Sequence, residues 1–371
     1  MKVALIADEY RTSYSRFEDY YLNYSAMGYV EGLSRALVEA GHEVLVIAHK
    51  PESEFNNGRF TALGLGMQSD IEFSQSVHHI LCEKPVDVVE APSFKYPLLI
   101  EQLVGGTPTV VRVDIGTMDL VEKGRWADDV KYASRHKSWS RHLLELKTVS
   151  MASGIIAPKS VHRSRASLIT DAPISGISNG VDILIDREDL FENREGFIIP
   201  VLDVSREMSA LVKGICSVLQ GEKVTLVGHP NIGSLFDGAF LNTVTLEMDI
   251  GLHCWTKRLL SCEAVILPGM LSEYTPMVMD AMVHACPTIC FNCGPDTASW
   301  PLYFMGEQNI LSVRNLPKIL DFMRKEKRED QVNKFYEFAE KHLWSKLIPE
   351  YEEIYLDAMA YSANRGRTRG W

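Results

Sequence analysis

Short, continuously apolar runs recur along the chain and alternate with segments in which apolar residues return every three or four positions. A continuous apolar run is typical of a strand buried on both faces of a parallel sheet, and the longer period indicates the helices that cover it. The alternation therefore predicts an α/β fold with doubly wound parallel sheets. Strands are predicted at 3–7, 43–48, 86–89, 109–113, 155–157, 197–202, 223–227, 243–248 and 264–267.

The chain is too long for one ordinary core, because 371 residues exceed the size at which single domains stop growing. A polar stretch at 186–195, DREDLFENRE, interrupts the alternation and is interpreted as a linker. We therefore expect a first α/β domain over 1–185 and a second over 196–345. The closing segment, 346–371, combines a helix that has an apolar stripe with a basic tail.

The stretch from Ala264 to Phe291 has the strongest pattern for a binding site. A buried strand is followed by a polar loop, SEYT at 272–275, and a helix is predicted to begin at Pro276 with Thr275 as its N-cap. Free N–H groups and the helix dipole at such a start suit an anion such as a diphosphate. Asp280, one turn further on, could accept hydrogen bonds from hydroxyls. The alternative is a loop that only turns the chain.

Polar residues also follow the strands of the first half. Glu90, Arg112 and Asp114 come at strand ends, so they are expected at one edge of the first sheet. They are candidates for a ligand cleft, and an ion pair at the rim is the equal alternative. The aromatic segment 10–24 is predicted to hold an acceptor by stacking. The predicted acceptor-binding residues are Tyr10, Tyr24, Met27, Glu90, Arg112 and Asp114.

The formal net charge of −11 argues against a surface that binds nucleic acid or anionic lipid as a whole. Segment 123–147 is an exception, because it has seven basic and three acidic residues with aromatic residues between them. The arginines of the tail, Arg365, Arg367 and Arg369, add to this charge. A solvated helix face is the simplest explanation, and contact with a polyanionic acceptor or a membrane surface is the alternative.

The cysteine content and the lack of targeting patterns bear on where the protein is located and on whether it binds a metal. The seven cysteines show no paired framework, and the sequence has neither a signal-peptide pattern nor a membrane-spanning run. These features predict a cytoplasmic protein, with attachment to the inner membrane face as an alternative. Cys290 and Cys293 have a spacing found in metal sites, but no second pair answers them. No metal site is therefore expected.

Several segments, in their order along the chain, resemble the two-domain GT-B glycosyltransferases, in particular the retaining branch numbered family four. They are DVVEAPS at 87–93, VVRVD at 110–114, ELKTVSMASGIIAPKS at 145–160, ISNGVD at 177–182, ILPGMLSEYTPMVMDAM at 266–282 and WSKLIPEYEEIY at 344–355. The resemblance implies two Rossmann-like domains that face a central cleft, with a C-terminal helix that crosses back to the first domain. It also implies sugar transfer from a nucleotide-sugar, such as a UDP- or GDP-sugar, to an acceptor hydroxyl, without metal or cofactor.

The family's functional positions carry over in part. Asp280 matches the ribose-binding glutamate, Ser272 stands at the place of the sugar-contacting glutamate, and Glu273 is one place further on. The resemblance implies Asp114, Arg206 and Glu273 as catalytic residues. The donor-binding residues that it implies are Gly228, His229, Ser272, Glu273, Tyr274, Thr275, Asp280 and Lys257.

Two departures from the family bear on activity. The family's arginine and lysine after the first strand of the second domain are reduced to one cation, because Leu202 stands at the first place and Arg206 is the candidate at the second. Lys257 and Arg258 are alternative cations. Asp114 stands where the family often has histidine, and a carboxylate there could accept sugar hydroxyls or act as a base.

Several functions fit these residues. The favoured one is a glycosyltransferase whose acceptor is a polysaccharide, a lipid precursor or a small molecule. The first alternative is a phage-type DNA base glycosyltransferase that uses segment 123–147 and Arg365–Arg369 to hold phosphates. The second is a non-catalytic nucleotide-sugar-binding protein. A nucleotide-sugar epimerase is less favoured, since it would need a denser set of acid and base residues.

Overall fold

The computed structural model describes residues 1–9, 29–50, 54–66, 68–113, 133–181, 194–201, 206–228, 232–248, 252–268, 271–291, 300–306 and 310–368. The chain divides into two compact units. In its described residues, the first unit comprises the chain up to Gly180 together with the segment from Trp344 onward, and the second comprises Val181–Leu343. The predicted linker is described only at Arg194 and Glu195, which bond to backbone carbonyls of the second unit.

The first unit is built on an eight-stranded sheet of order β3-β4-β2-β1-β5-β6-β7-β8. All paired neighbours are parallel except β3 and β4, which form an antiparallel hairpin through Gly58. The predicted strands of this half are therefore confirmed, and the hairpin is an addition. The strands are β1 Lys2–Glu9, β2 Glu43–Lys50, β3 Glu54–Asn57, β4 Phe60–Gly64, β5 Val88–Pro92, β6 Thr109–Arg112, β7 Gly154–Ile156 and β8 Ile174–Ser175.

Helices connect these strands. The second of them begins with a capping box, in which Ser69 Oγ accepts from Glu72 N at 3.4 Å and Glu72 Oε2 accepts from Ser69 N at 2.9 Å. The helices are α1 Tyr29–Glu39, α2 Asp70–Glu83, α3 Leu99–Val104, α4 Ala133–Met151 and α5 Ser160–Ala166. In the described part of the chain, no helix is both long and apolar enough to cross a bilayer.

The second unit has a six-stranded, wholly parallel sheet of order β11-β10-β9-β12-β13-β14. The strands are β9 Phe197–Val201, β10 Val224–Gly228, β11 Thr245–Met248, β12 Ala264–Ile266, β13 Thr288–Cys290 and β14 Tyr303–Phe304. The helices are α6 Arg206–Val218, α7 Gly238–Leu241, α8 Leu252–Ser261, α9 Leu271–Val283, α10 Leu316–Lys325 and α11 Arg328–Lys341. Each unit is thus a doubly wound α/β layer structure, as predicted.

The last helix, α12 Trp344–Thr368, returns to the first unit, as expected. Its apolar stripe, which includes Tyr351, Ile354 and Tyr355, is buried in the same core cluster as strand β1 and helix α1. Its polar side is tied to the same unit, because His42 Nε2 lies 2.7 Å from Glu352 Oε1. The first unit is therefore completed by the end of the chain.

The first residue of α12, Trp344, is a large side chain packed against two glycines. A Cβ atom on Gly32 of α1 or on Gly180 would overlap the Trp344 indole. The indole is only 3% exposed, so it has no free space to move into. The two glycines are needed because no larger residue leaves room for the indole.

We predict that Gly180→Ala destabilises the protein by about 1–3 kcal/mol, the usual cost of overpacking a filled site. Gly106→Ala is the matched control, since no atom lies within 4 Å of a Cβ built there. Thermal unfolding should show a midpoint lowered by several degrees for the first variant and an unchanged midpoint for the second. Equal midpoints for the two variants would contradict the packing of Trp344.

Candidate functional site

The best candidate site lies at the carboxyl edge of the second sheet. Strand β9 pairs in parallel with both β10 and β12, so the three strands end at the same edge. Helix α6 begins shortly after β9, and helix α9 begins shortly after β12. The N-termini of two helices, with their positive dipole ends, therefore lie at one edge, where an anion is favoured.

The start of α9 corrects the sequence-based boundary. The helix begins at Leu271, so 272–275 form its first turns instead of a loop, Thr275 is not the N-cap, and Pro276 is the sixth residue instead of the first. The proline is accommodated because its missing N–H removes only one hydrogen bond, to the carbonyl of Ser272. The first turn of the helix thus comprises 271–274, and the helix starts roughly 7 Å nearer its N-terminal end than predicted.

Asp280 occupies a distinct position on α9. Within 277–285, where burial is described for every residue, Asp280 is the one residue that is not buried. Its neighbours Met277 and Val278 are fully buried, and the opposite faces of the helix are buried by Ala281 and Met282. A carboxylate is thus placed at the accessible point of 277–285, a stretch whose other residues belong to the core, which suits contact with a polar ligand.

Gly228 ends β10 at this same edge. Its φ of 137° lies in the left-handed region that favours glycine, and a Cβ atom would overlap the carbonyl oxygen of Val201 on β9. Glycine therefore lets β10 and β9 approach closely where both strands end. Its predicted contact with a donor stays a prediction.

The other predicted donor residues are placed less fully. Arg206 is the first residue of α6, at the candidate edge, and Lys257 is an exposed residue of α8. The side chains of Arg206, Ser272, Glu273, Tyr274 and Thr275 lie outside the described part of the structure, as do the whole residues His229, Asp114, Tyr10, Tyr24 and Met27.

Arg258, the alternative cation, has another role. Its guanidinium donates to both carboxylate oxygens of Glu247 on β11, with Nε at 2.9 Å from Oε2. It also lines a cavity of about 250 Å³ together with Phe197 and Lys223, at the amino ends of β9 and β10. An arginine engaged in this ion pair is a poor substitute for a diphosphate-binding cation.

Glu90 and Arg112 do not face an open cleft, which corrects the sequence-based expectation. Their exposures are 0% and 1%, and their closest charged atoms, Arg112 Nη1 and Glu90 Oε1, are 3.9 Å apart. The alternative that they form an ion pair agrees with this distance, although the pair is buried instead of lying at the rim. The two side chains therefore form a buried ion pair within the first unit.

Tyrosines and an asparagine complete this buried polar cluster. Arg112 Nη1 donates to Tyr351 Oη at 2.8 Å, and Nη2 donates to the side-chain oxygen of Asn179. Tyr355 Oη donates to Glu90 Oε2 at 2.6 Å. Asn179 and the two tyrosines were not predicted as polar partners from the sequence. The signal in the sequence is Arg112 at the end of a strand that is predicted to be buried, because a buried arginine needs several hydrogen-bond acceptors.

Burial dominates the electrostatics of these tyrosines. The pKa of Tyr355 is raised well above its usual value, first by burial and then by the Glu90 carboxylate, to which it donates. The pKa of Tyr29 is raised in the same way, while the guanidinium of Arg112 lies 4.3 Å from the centre of its ring and opposes the rise. Both hydroxyls therefore stay protonated, and that of Tyr355 donates to Glu90.

Comparison with solved structures supplies the context for the two units. Sucrose-phosphate synthase from Thermosynechococcus elongatus matches with a TM-score of 0.69 and 12% identity, over 97% of this chain and 99% of that one. The catalytic domain of starch synthase IV from Arabidopsis thaliana, bound to ADP and acarbose, matches with a TM-score of 0.63 and 12% identity, over 96% and 99%. The chain has the GT-B fold.

The fold is shared with another class of nucleotide-sugar enzyme. UDP-GlcNAc 2-epimerase from Methanocaldococcus jannaschii, in complex with UDP-GlcNAc and UDP, matches with a TM-score of 0.52 and 14% identity, over 88% of this chain and 94% of that one. No protein-family model and no curated protein matches the chain by sequence. The likeness therefore lies in the fold, and the chemistry has to be argued from the residues.

His284, which follows the C-terminal end of α9, gives the second unit a pH-dependent feature. Burial lowers the pKa of His284 to about 4, and the ring Nδ1 lies 2.7 Å from the carbonyl oxygen of Asp280. The usual histidine pKa is about 6.5, so the unfolded chain takes up this proton before the folded one does. The stability contribution of the neutral ring is complete above about pH 6.5 and is lost as the pH falls toward 4.

We predict that His284→Asn reduces the loss of stability between about pH 6.5 and pH 4 by up to about 3 kcal/mol, because the asparagine amide can donate to the same carbonyl without titrating. His79→Asn is the control, since His79 is an exposed residue of α2. The measurement is the unfolding midpoint at each pH. An unchanged pH dependence in the His284 variant would contradict the buried neutral histidine.

Proposed function

We propose that the protein is a glycosyltransferase that moves a sugar from a nucleotide-sugar to an acceptor hydroxyl, with retention and without a metal or cofactor. The observation that carries the proposal is the convergence of the α6 and α9 N-termini at one sheet edge, with Asp280 partly exposed among the buried residues of 277–285. Two of the structures with this fold hold nucleoside diphosphates, ADP in one and UDP in the other.

The chemistry of transfer fits this edge. The bond between the sugar and the diphosphate breaks, a bond to the acceptor oxygen forms, and the nucleoside diphosphate leaves with added negative charge. Amide N–H groups at the start of α9 are fixed in direction before the reaction, so they stabilise that charge without reorganisation. Arg206, at the start of α6, would supply the positive side chain.

The remaining roles follow from position on α9. Glu273 is the third residue of the helix and would contact the donor sugar, while Asp280, two turns further on, would accept hydrogen bonds from the ribose hydroxyls. Asp114, which follows β6 along the chain, would bind sugar hydroxyls or accept the proton of the acceptor. Each role is a proposal that needs its own test.

An epimerase is the second candidate, because the same fold carries that activity in another protein. The two functions differ in product: a transferase joins the sugar to the acceptor, whereas an epimerase inverts a carbon of the sugar without an acceptor. The DNA glycosyltransferase hypothesis gains no support from the comparisons. All of residues 123–132 of the basic segment 123–147, the side chain of Arg367 and the whole of Arg369 lie outside the described part of the structure.

We predict that nucleoside diphosphates raise the unfolding midpoint of the protein by several degrees, and that Asp280→Ala removes most of this shift. A ligand at about one hundred times its dissociation constant stabilises the folded state by about 2.7 kcal/mol. Asp321→Ala is the matched control, since Asp321 is an exposed aspartate on α10 in the same unit. An equal shift in both variants would place the nucleotide elsewhere.

Activity is tested by incubating the protein with a panel of nucleotide-sugars, with and without glycan, lipid-linked and small-molecule acceptors. Release of nucleoside diphosphate that depends on the acceptor supports a transferase. Epimerised donor without acceptor supports the second candidate. Binding without any turnover supports the non-catalytic alternative. Leu202, which stands where the family has an arginine, also favours that alternative.

The surface of α4 supports attachment to a membrane as part of this proposal. Trp139, Leu143 and Leu146 are 55%, 60% and 38% exposed, and their spacing places them on one face of the helix. Lys147 is an exposed cation of the same helix, whereas Arg141 pairs with Asp70 at 2.6 Å. An exposed apolar face with a lysine beside it fits a surface of anionic lipids.

We predict that the protein sediments with phosphatidylglycerol-containing vesicles and binds less to phosphatidylcholine alone. The double variant Trp139→Ser with Leu143→Ser should lose most of this binding, because it removes the apolar contact. Leu168→Ser is the control, since Leu168 is 83% exposed outside α4. Equal binding by both variants would rule out this face as the attachment site.

A further inference from the structure

A thiol and an imidazole lie side by side on helix α2, away from the candidate site. Cys82 is exposed, and its Sγ lies 3.7 Å from Nε2 and 4.0 Å from Nδ1 of His78, one turn earlier on the same helix. The sulfur is therefore within reach of the ring as a proton donor. A thiol becomes a nucleophile when a neighbouring base takes its proton or a neighbouring cation stabilises the thiolate.

A buried carboxylate orients the imidazole. Glu101 of α3 is 2% exposed, and its Oε2 lies 2.7 Å from His78 Nδ1. Because an ionised carboxylate only accepts hydrogen bonds, Nδ1 must be the donor, which leaves Nε2 as the acceptor. The Cys82 sulfur lies beside the ring, nearly equidistant from its two nitrogens, so its proton reaches Nε2 after the exposed thiol rotates about its Cα–Cβ bond. The carboxylate thus fixes both the position and the tautomer of the ring.

The carboxylate itself is held in place. Its Oε1 accepts from the backbone N–H of Thr107 at 3.0 Å. A Cβ atom on Gly105 would overlap the carboxylate, so this glycine leaves the space that Glu101 fills. The three side chains therefore form an ordered sequence of nucleophile, base and orienting acid, which is the arrangement that activates nucleophiles in enzymes.

We propose that Cys82 is a covalent modification site, at which a small disulfide reacts by thiol–disulfide exchange. The Cys82 proton moves to His78 Nε2, and the thiolate attacks one sulfur of the disulfide. The disulfide bond breaks as the Cys82–sulfur bond forms, and the departing thiolate takes the proton from His78. One disulfide is consumed and one is formed, so no further oxidant is needed.

The environment distinguishes Cys82 from the other cysteines. Cys262, Cys286 and Cys290 are buried, and burial raises the pKa of Cys216 to about 12. Cys254 of α8 is exposed and gives an internal comparison. In the described residues, no group of three histidine, cysteine or acidic side chains could hold a metal ion, so a metal site is not the explanation for the cluster.

The test is treatment of the full-length protein with glutathione disulfide, followed by mass spectrometry of the cysteine-containing peptides over time. We expect Cys82 to form the mixed disulfide about tenfold faster than Cys254. His78→Gln should bring the Cys82 rate down to that of Cys254. His79→Gln is the matched control and should leave the rate unchanged, because His79 pairs with Glu83 at 3.2 Å on the same helix.

Glu101→Gln tests the positioning role separately from folding. Glutamine keeps the shape and can still accept from Thr107 N–H, but it removes the negative charge beside His78. We expect a severalfold slower reaction of Cys82 with unchanged circular dichroism. The proposal is overturned if Cys82 reacts no faster than Cys254, or if the His78 and His79 variants behave alike. Because the readout is thiol modification, these outcomes are independent of the proposed transferase activity.

Discussion

The parallel pairing of β9 with both β10 and β12 is the constraint on which the candidate site depends. Parallel strands need crossover helices, and each crossover begins at the edge where the preceding strand ends. The sheet order of the second unit therefore brings α6 and α9 to the same edge without any specific side-chain contact. The candidate ligand position is a product of topology, and Arg206 and Asp280 are the residues proposed to set its chemistry.

The first unit relies on a different interaction, the buried ion pair of Glu90 and Arg112. A buried charge whose partner is removed costs about 3–5 kcal/mol, so the pair is sensitive to substitution even where its net contribution is small. The tyrosines of α12 and Asn179 supply the additional hydrogen bonds that such a pair requires. The cluster therefore fixes how α12 docks on strands β5 and β6.

The pattern of apolar residues was sufficient to predict the alternating strands and helices, because a buried parallel strand has a clear composition. It did not predict the β3–β4 hairpin, whose strands are short and of which β3 is mainly polar, although the Asn57–Gly58 pair is a known turn sequence. The start of α9 was misplaced because proline was given more weight than the helical path of Leu271–Thr275. Local preferences yield to tertiary packing at such boundaries.

Side-chain placement was harder to predict than the fold. Glu90 and Arg112 follow the rule that strand ends carry ligand residues, yet α12, nearly 240 residues later in the sequence, covers them. No local pattern contains that information, since it depends on where a distant helix returns. Asp280, in contrast, was identified from its spacing on α9, and its partial exposure agrees with a polar contact.

The return of α12 also bears on how the protein is made. The first unit lacks Trp344 and the tyrosine-bearing helix until the last part of the chain has been synthesised. On the ribosome, the second unit can therefore complete its own core before the first one does. Until then, one apolar face of the first sheet stays uncovered. Truncation near the C-terminus would leave that face without α12, and the exposed apolar surface would promote self-association.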